Sequence, residues 1–84
     1  ALFGAVTSGN IEIIDLLLQK GIEINKIDKF GNTALLFAIG QNKTAIAEKL
    51  ITNGADISII NNEGYDAAKL ANKMQISIKG LKMN

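Results

Sequence analysis

A period of 33 residues runs through this 84-residue chain and restricts its fold more than any other feature. Gly21 and Gly54 stand one period apart, as do Gly31 and Gly64, and Ala5, Ala38 and Ala71 share one register. Leu2 and Leu35, Ile13 and Ile46, Leu17 and Leu50, and Ile24 and Ile57 keep the same spacing. Turn-forming glycines and apolar positions therefore recur together. A unit of this size cannot enclose a core by itself, so its copies must stack and bury their faces on one another.

The central unit shows what each copy folds into. Its apolar residues fall at helical spacing on either side of a Gly40-Gln41-Asn42 break, which predicts helices over 33–40 and 44–53. Leu35, Phe37 and Ala38 share the inner side of the first, and Ile46, Ala47, Leu50 and Ile51 form a stripe on the second. Thr33 and Thr44 precede these stretches as expected N-caps, with Asp66 in the matching role one unit later. Gly54 suits the left-handed turn that ends the second helix. Residues 55–59 are expected to be extended and Asn61-Asn62-Glu63-Gly64 to turn, giving a hairpin-like finger. The expected fold is an all-α repeat solenoid of about two and a half helix-turn-helix units with short β-hairpin-like loops.

Composition removes most chemistry. The chain has no His and no Cys, so the common proton shuttle, thiolate ligands and disulfides are absent. Ser8, Ser58 and Ser77 have no histidine to activate them. Asp28, Asp56 and Asp66 are accounted for as turn or cap residues, and Glu12, Asp15 and Glu48 fall on outer helix faces. Gly31-Asn32-Thr33 lacks the flanking pattern of a phosphate loop. No cofactor, no metal and no enzymatic activity are expected. All nine basic residues are Lys and the formal net charge is +1, which argues against nucleic acid as a partner. No apolar run reaches the length of a membrane-spanning helix, so membrane insertion is not expected either.

The motifs Asp28, Gly31, Thr33-Ala34-Leu35-Leu36, Ala38, Leu50-Ile51 and Gly54-Ala55-Asp56-Ile57 resemble the ankyrin repeat. The first unit enters at Ala1-Leu2 and supplies Gly9-Asn10, Ile13-Ile14, Leu17-Leu18 and Gly21-Ile22-Glu23-Ile24-Asn25. The third begins Asn61-Asn62-Glu63-Gly64. The resemblance implies one domain over 1–84, with units at about 1–27, 28–60 and 61–84. Ala34 and Ala67 replace the family's usual proline, and Leu36 and Lys69 its histidine, so packing must carry more of the stability. Lys79 and Gly80 fall where the third unit's second helix should be apolar, which predicts a short, frayed or solvent-facing cap.

The resemblance also implies a protein–protein interaction scaffold whose finger tips and concave face grip a partner protein. The positions are Ile27, Lys29, Phe30 and Asn32 in one finger and Ile60, Asn62, Glu63 and Tyr65 in the next. Thr7, Ser8, Gln41, Lys73 and Met74 lie along the groove. Phe30 and Tyr65 are the expected anchors, set against the alternative that Phe30 only covers its own hairpin. Membership of a longer repeat array is expected, because the first unit lacks its own finger. Two rival readings remain: a repeat segment positioning a catalytic domain within a larger enzyme or bacterial effector, and a filler of a structural solenoid. The richness in Ile, Asn and Lys without Arg points to AT-rich coding, and the expected location is the cytoplasm or the cytosol of a host cell.

Overall fold

The computed structural model describes residues 2–81. Five short helices follow in order: α1 Leu2–Ser8, α2 Ile11–Gln19, α3 Ala34–Gly40, α4 Thr44–Thr52 and α5 Ala67–Met74. The described residues contain no strand, and the predicted hairpins are turns held by side chains. Helices of seven to nine residues are unstable alone, so they persist here through packing and capping. The central inner helix α3 has α1 on one side, α5 on the other and its own outer helix α4 behind.

The register explains that stack. Ala5, Ala38 and Ala71 occupy equivalent sites on α1, α3 and α5 and are all buried, and their small side chains let neighbouring inner helices approach closely. Leu35, Ile39 and Leu50 fill the middle with almost no exposure. Each buried aliphatic side chain contributes roughly 1.5–3 kcal/mol by leaving water. Phe3 and Phe37 join α1 to α3 edge to face, with centroids 5.5 Å apart and planes at 75°. Such a pair adds about 0.5–1.5 kcal/mol beyond the area it buries.

Caps and turns set the helix ends. Thr33 Oγ1 accepts from the Leu36 N–H at 3.2 Å, Asp66 Oδ1 from the Lys69 N–H at 2.8 Å, and Asn10 Oδ1 from the Ile13 N–H at 3.2 Å. Thr44 does not cap, contrary to the sequence expectation. It is the first helical residue, and Lys43 takes the cap position without a side-chain bond. The cause is the preceding turn. Asn42 adopts φ 60° and the Lys43 N–H donates to the Ala38 carbonyl, so the chain enters α4 directly. Gly9 (φ 73°) and Gln75 (φ 57°) make the same left-handed step in the other units, one period away on either side.

Two further expectations are corrected. Residues 55–59 are not extended, because Asp56 Oδ1 accepts from both the Ser58 N–H (2.8 Å) and the Ser58 hydroxyl (2.6 Å) and folds them into a turn. Among the described residues the third unit has no second helix. After α5 the chain runs irregularly through 76–81, with Ile78 and Leu81 buried and the Lys79 N–H donating to Glu48 Oε2 at 3.2 Å. Gly80, at φ 97°, passes so close to α4 that a Cβ there would lie 2.9 Å from Ile51 Cγ2. The cap is therefore an apolar strap over α4. The glycine that argues against a helix is what lets the strap lie flat.

The two threonines separate cleanly by experiment. Thr33→Ala is expected to cost about 1–2 kcal/mol in urea unfolding, and Thr44→Ala less than about 0.5 kcal/mol. Equal losses would show that Thr44 caps its helix in solution.

Candidate partner-binding face

The fingers are built by one short polar side chain each. Asp28 Oδ1 accepts from the backbone N–H groups of Phe30 and Asn32, both at 2.9 Å, while the Gly31 N–H donates to the Asp28 carbonyl at 3.0 Å. One period on, Asn61 Oδ1 accepts from Glu63 (2.9 Å) and Tyr65 (3.0 Å), and the Gly64 N–H donates to the Asn61 carbonyl at 3.0 Å. A carboxylate and a carboxamide thus build the same turn through the same oxygen.

The carboxamide adds something the carboxylate lacks. Asn61 Nδ2 donates to Asn32 Oδ1 at 2.8 Å, tying the second finger to the first. Asn62 adds its backbone N–H to the Phe30 carbonyl at 3.0 Å and its Nδ2 to the Lys29 carbonyl at 3.1 Å. Behind the fingers, Asn25 Oδ1 accepts from the Asp56 N–H at 2.7 Å. Gly31 stands where the fingers touch: at φ 76°, an added Cβ would come within 2.7 Å of Asn62 Oδ1 and 3.0 Å of the Asn62 backbone nitrogen. Asp56 lies outside the fingers, and its hydrogen bonds from the Ser58 hydroxyl and N–H hold its carboxyl below the ordinary aspartate range.

On this frame the predicted site residues divide. Ile27, Phe30 and Ile60 are 54%, 59% and 59% exposed, the highest values among the described large apolar residues. Phe30 therefore does not fold back over its own hairpin. Lys29 Nζ sits 5.3 Å from the Phe30 ring centroid, and Lys73 Nζ lies 5.0 Å from that of the half-buried Tyr65. Contacts of that kind at exposed sites contribute about 0.5–1 kcal/mol, enough to bias where the ammonium groups rest. Glu63, Gln41 and Met74 are exposed. Asn32 and Asn62 spend their carboxamides on the link between fingers. Thr7 and Ser8 are exposed, and the Ser8 hydroxyl donates to the Ala5 carbonyl.

Sequence reasoning placed Asn61 in its turn but missed the ties that Asn25 and Asn61 make between units. For Asn61 a signal existed, since an Asn in the register of Asp28 keeps the acceptor and gains a donor. For Asn25 none did, because its partner lies 31 residues away in a different register position. No helix among the described residues is long and apolar enough to cross a membrane.

The family model described as Ankyrin repeats (many copies) matches residues 2–51. Among relatives, the ankyrin repeat domain-containing protein SAT10 of Stachybotrys chartarum is 39% identical over 66 residues, which are 79% of this chain and 3% of that protein. Human protein phosphatase 1 regulatory subunit 27 is 41% identical over 64 residues, 76% of this chain and 42% of its own length. Ankyrin repeat protein 14 of vaccinia virus is 34% identical over 73 residues, 87% of this chain and 31% of its own length. The chain belongs to the ankyrin repeat family, whose members are generally protein-interaction modules. It spans less than half the length of each of these relatives.

Gly31→Ala is expected to cost roughly 2–3 kcal/mol in urea unfolding, from left-handed strain plus the displaced Asn62. Gly54→Ala, with equal strain but open space around its Cβ, is expected to cost only about 1 kcal/mol. If the two losses match, the fingers are not held together as described. Ser58→Ala should raise the pKa of Asp56 toward the ordinary value, read from its carboxyl carbon shift during an NMR titration. The hydrogen bonds favour the carboxylate, so what they contribute is present above the ordinary aspartate pKa and lost as pH falls through the lowered one. An unchanged titration curve would remove the Ser58 hydroxyl as the main cause.

Proposed function

We propose that this chain is a protein–protein interaction scaffold that holds a partner protein on its finger tips and the adjoining concave helix face. Ile27, Phe30 and Ile60 act as apolar anchors, and Lys29, Glu63, Tyr65, Lys73, Gln41 and Met74 surround them. The observation that carries this reading is the exposure of three large apolar side chains on fingers whose backbones are fixed by bonds to each other. Water-exposed apolar groups on a rigid frame favour association twice: burial releases the solvent, and little ordering of the frame remains to oppose it. Asn32 and Asn62 serve the same face by fixing the finger spacing. The module binds without cofactor or reaction. A relative named as a regulatory subunit of protein phosphatase 1 supports a role exercised on another protein.

A second reading is favoured by the relatives' greater length: the module positions a separate domain of a larger protein, an enzyme or an effector included. The proposed site of action is the cytosol, of the source cell or of a host.

Capture from cell lysate with the intact chain and with a Phe30→Ala/Tyr65→Ala variant tests the scaffold reading, once circular dichroism shows both equally helical. Truncating a buried interface aromatic costs about 2 kcal/mol or more, so a captured protein should bind the variant roughly 30-fold more weakly or worse. Equal capture by both chains, or by neither, overturns the finger site.

A further inference from the structure

Ile27 and Ile60 share one register position in successive fingers, and both are more than half exposed. The first finger has its neighbour on the downstream side and the second on the upstream side, through the bonds from Asn61 and Asn62. Contact from either side therefore leaves this position bare, so what covers it is not an adjoining unit. Phe30 is equally exposed, although its carbonyl accepts from the Asn62 N–H across the fingers. The charges beside these side chains are unevenly used. Lys49 with Asp15 is the one ion pair among the described residues. The exposed Lys29 and Lys73 instead rest their ammonium groups 5.3 Å from the Phe30 ring centroid and 5.0 Å from that of Tyr65. A ring face attracts the charge without taking up the N–H donors as an oxygen would, so they stay available to one. The neighbouring aspartates are turned inward: Asp28 and Asp66 are half-buried and accept from backbone N–H groups of their own turns. Glu63, in the register of Phe30, is the exposed carboxylate of the two fingers.

We propose that the occupant of the finger face is an acidic segment of another protein in which apolar residues are flanked by Asp or Glu. Its apolar side chains cover Ile27, Phe30 and Ile60, and its carboxylates pair with Lys29 and Lys73. The inference rests on the reading of the fingers as the partner site and adds the chemistry of what they hold. Charge complementarity carries it: one ammonium stands in the first finger and the other on the helix that follows the second, and neither is spent on a carboxylate among the described residues. Glu63 sets the direction, because an acid placed opposite it is repelled while one placed at Lys29 or Lys73 is attracted. Nucleic acid fits less well. It offers phosphates to the lysines, but its charged backbone presents no aliphatic groups to Ile27 and Ile60, and its binding grows with the number of cations engaged.

Selection of random short peptides on the intact chain, with counter-selection on Phe30→Ala, tests it once circular dichroism shows every variant equally helical. Enriched peptides are expected to combine apolar residues with Asp and Glu. For one such peptide, Lys29→Gln with Lys73→Gln should weaken binding roughly 3- to 30-fold by fluorescence anisotropy, the loss of two exposed ion pairs. That loss should shrink in high salt, whereas Lys29→Arg with Lys73→Arg should bind at least as tightly as the parent. Glu63→Lys should bind the same peptide roughly 2- to 5-fold more tightly. Enriched peptides that are neutral or basic, or an acidic peptide indifferent to both lysines, overturn the acidic partner and leave the finger site standing. If no peptide depends on Phe30, the finger site falls and this inference with it. A single-stranded oligonucleotide that binds more tightly than the peptides and ignores Phe30→Ala also overturns the proposal, because the lysines would then attract anions in general.

Discussion

Burial of α3 between α1 and α5 is the contact on which the rest of the molecule depends. None of the five helices exceeds nine residues, and a helix of that length is held by what covers it. Val6, Leu35, Ile39 and Leu50 reach near-complete burial only because successive inner helices sit side by side over a shared outer layer. In such an array, stability is approximately the sum of weak units and strong interfaces between neighbours. With units this small, each unit alone is unfavourable, so loss of either interface around α3 removes the support for both partners. The alanines at 5, 38 and 71 set the closeness of that contact, and the Phe3–Phe37 pair fills the space beside it.

A second layer of order is polar and lies at the fingers. Backbone groups in a projecting loop have no helix to satisfy them and would otherwise bond to water in many arrangements. Asp28 and Asn61 collect two N–H groups each, which fixes the turn, and Asn61 and Asn62 then tie one turn to the next. None of these bonds is fully buried, so each contributes only about 0.5–1.5 kcal/mol alone. Their effect is geometric: they fix the spacing of the side chains that project from neighbouring fingers. Stability and recognition are thereby assigned to different residues at adjacent positions. Gly31 and Asn32 hold the frame, while Phe30 faces outward.

How much of this was legible in the sequence follows from where each signal resides. The stack was legible because burial imposes period and residue size together, and Ala5, Ala38 and Ala71 carry both. The caps at Thr33 and Asp66 were legible because a short side-chain acceptor before an apolar run has one common use. Thr44 has the same local sequence context and does not cap, since the turn at Asn42 decides the direction in which the chain enters α4. The strap was illegible for a related reason. Gly80 reads as a helix breaker, which it is, but only the position of Ile51 shows that the broken segment lies against the core. The ties between fingers depend on which residues of neighbouring units face each other, and a repeat pattern compares equivalent positions rather than facing ones.

That distinction bears on the asymmetry between the chain's two edges. Equivalent residues are alike in sequence but differ in surroundings, and Ile13 and Ile46 are the clearest pair: same residue, same register, opposite exposure. Sequence similarity between units therefore measures what each unit contributes to a stack, while the difference in burial measures what has been supplied by a neighbour. An isoleucine covered in one unit and bare in the next therefore differs in surroundings and not in sequence. The downstream edge supplies the contrast. There the pattern itself changes: Ile78 and Leu81 are buried outside any helix, and Gly80 lets that segment pass against Ile51. Burial in a repeat stack is thus set by what lies beside a position as well as by the residue that occupies it.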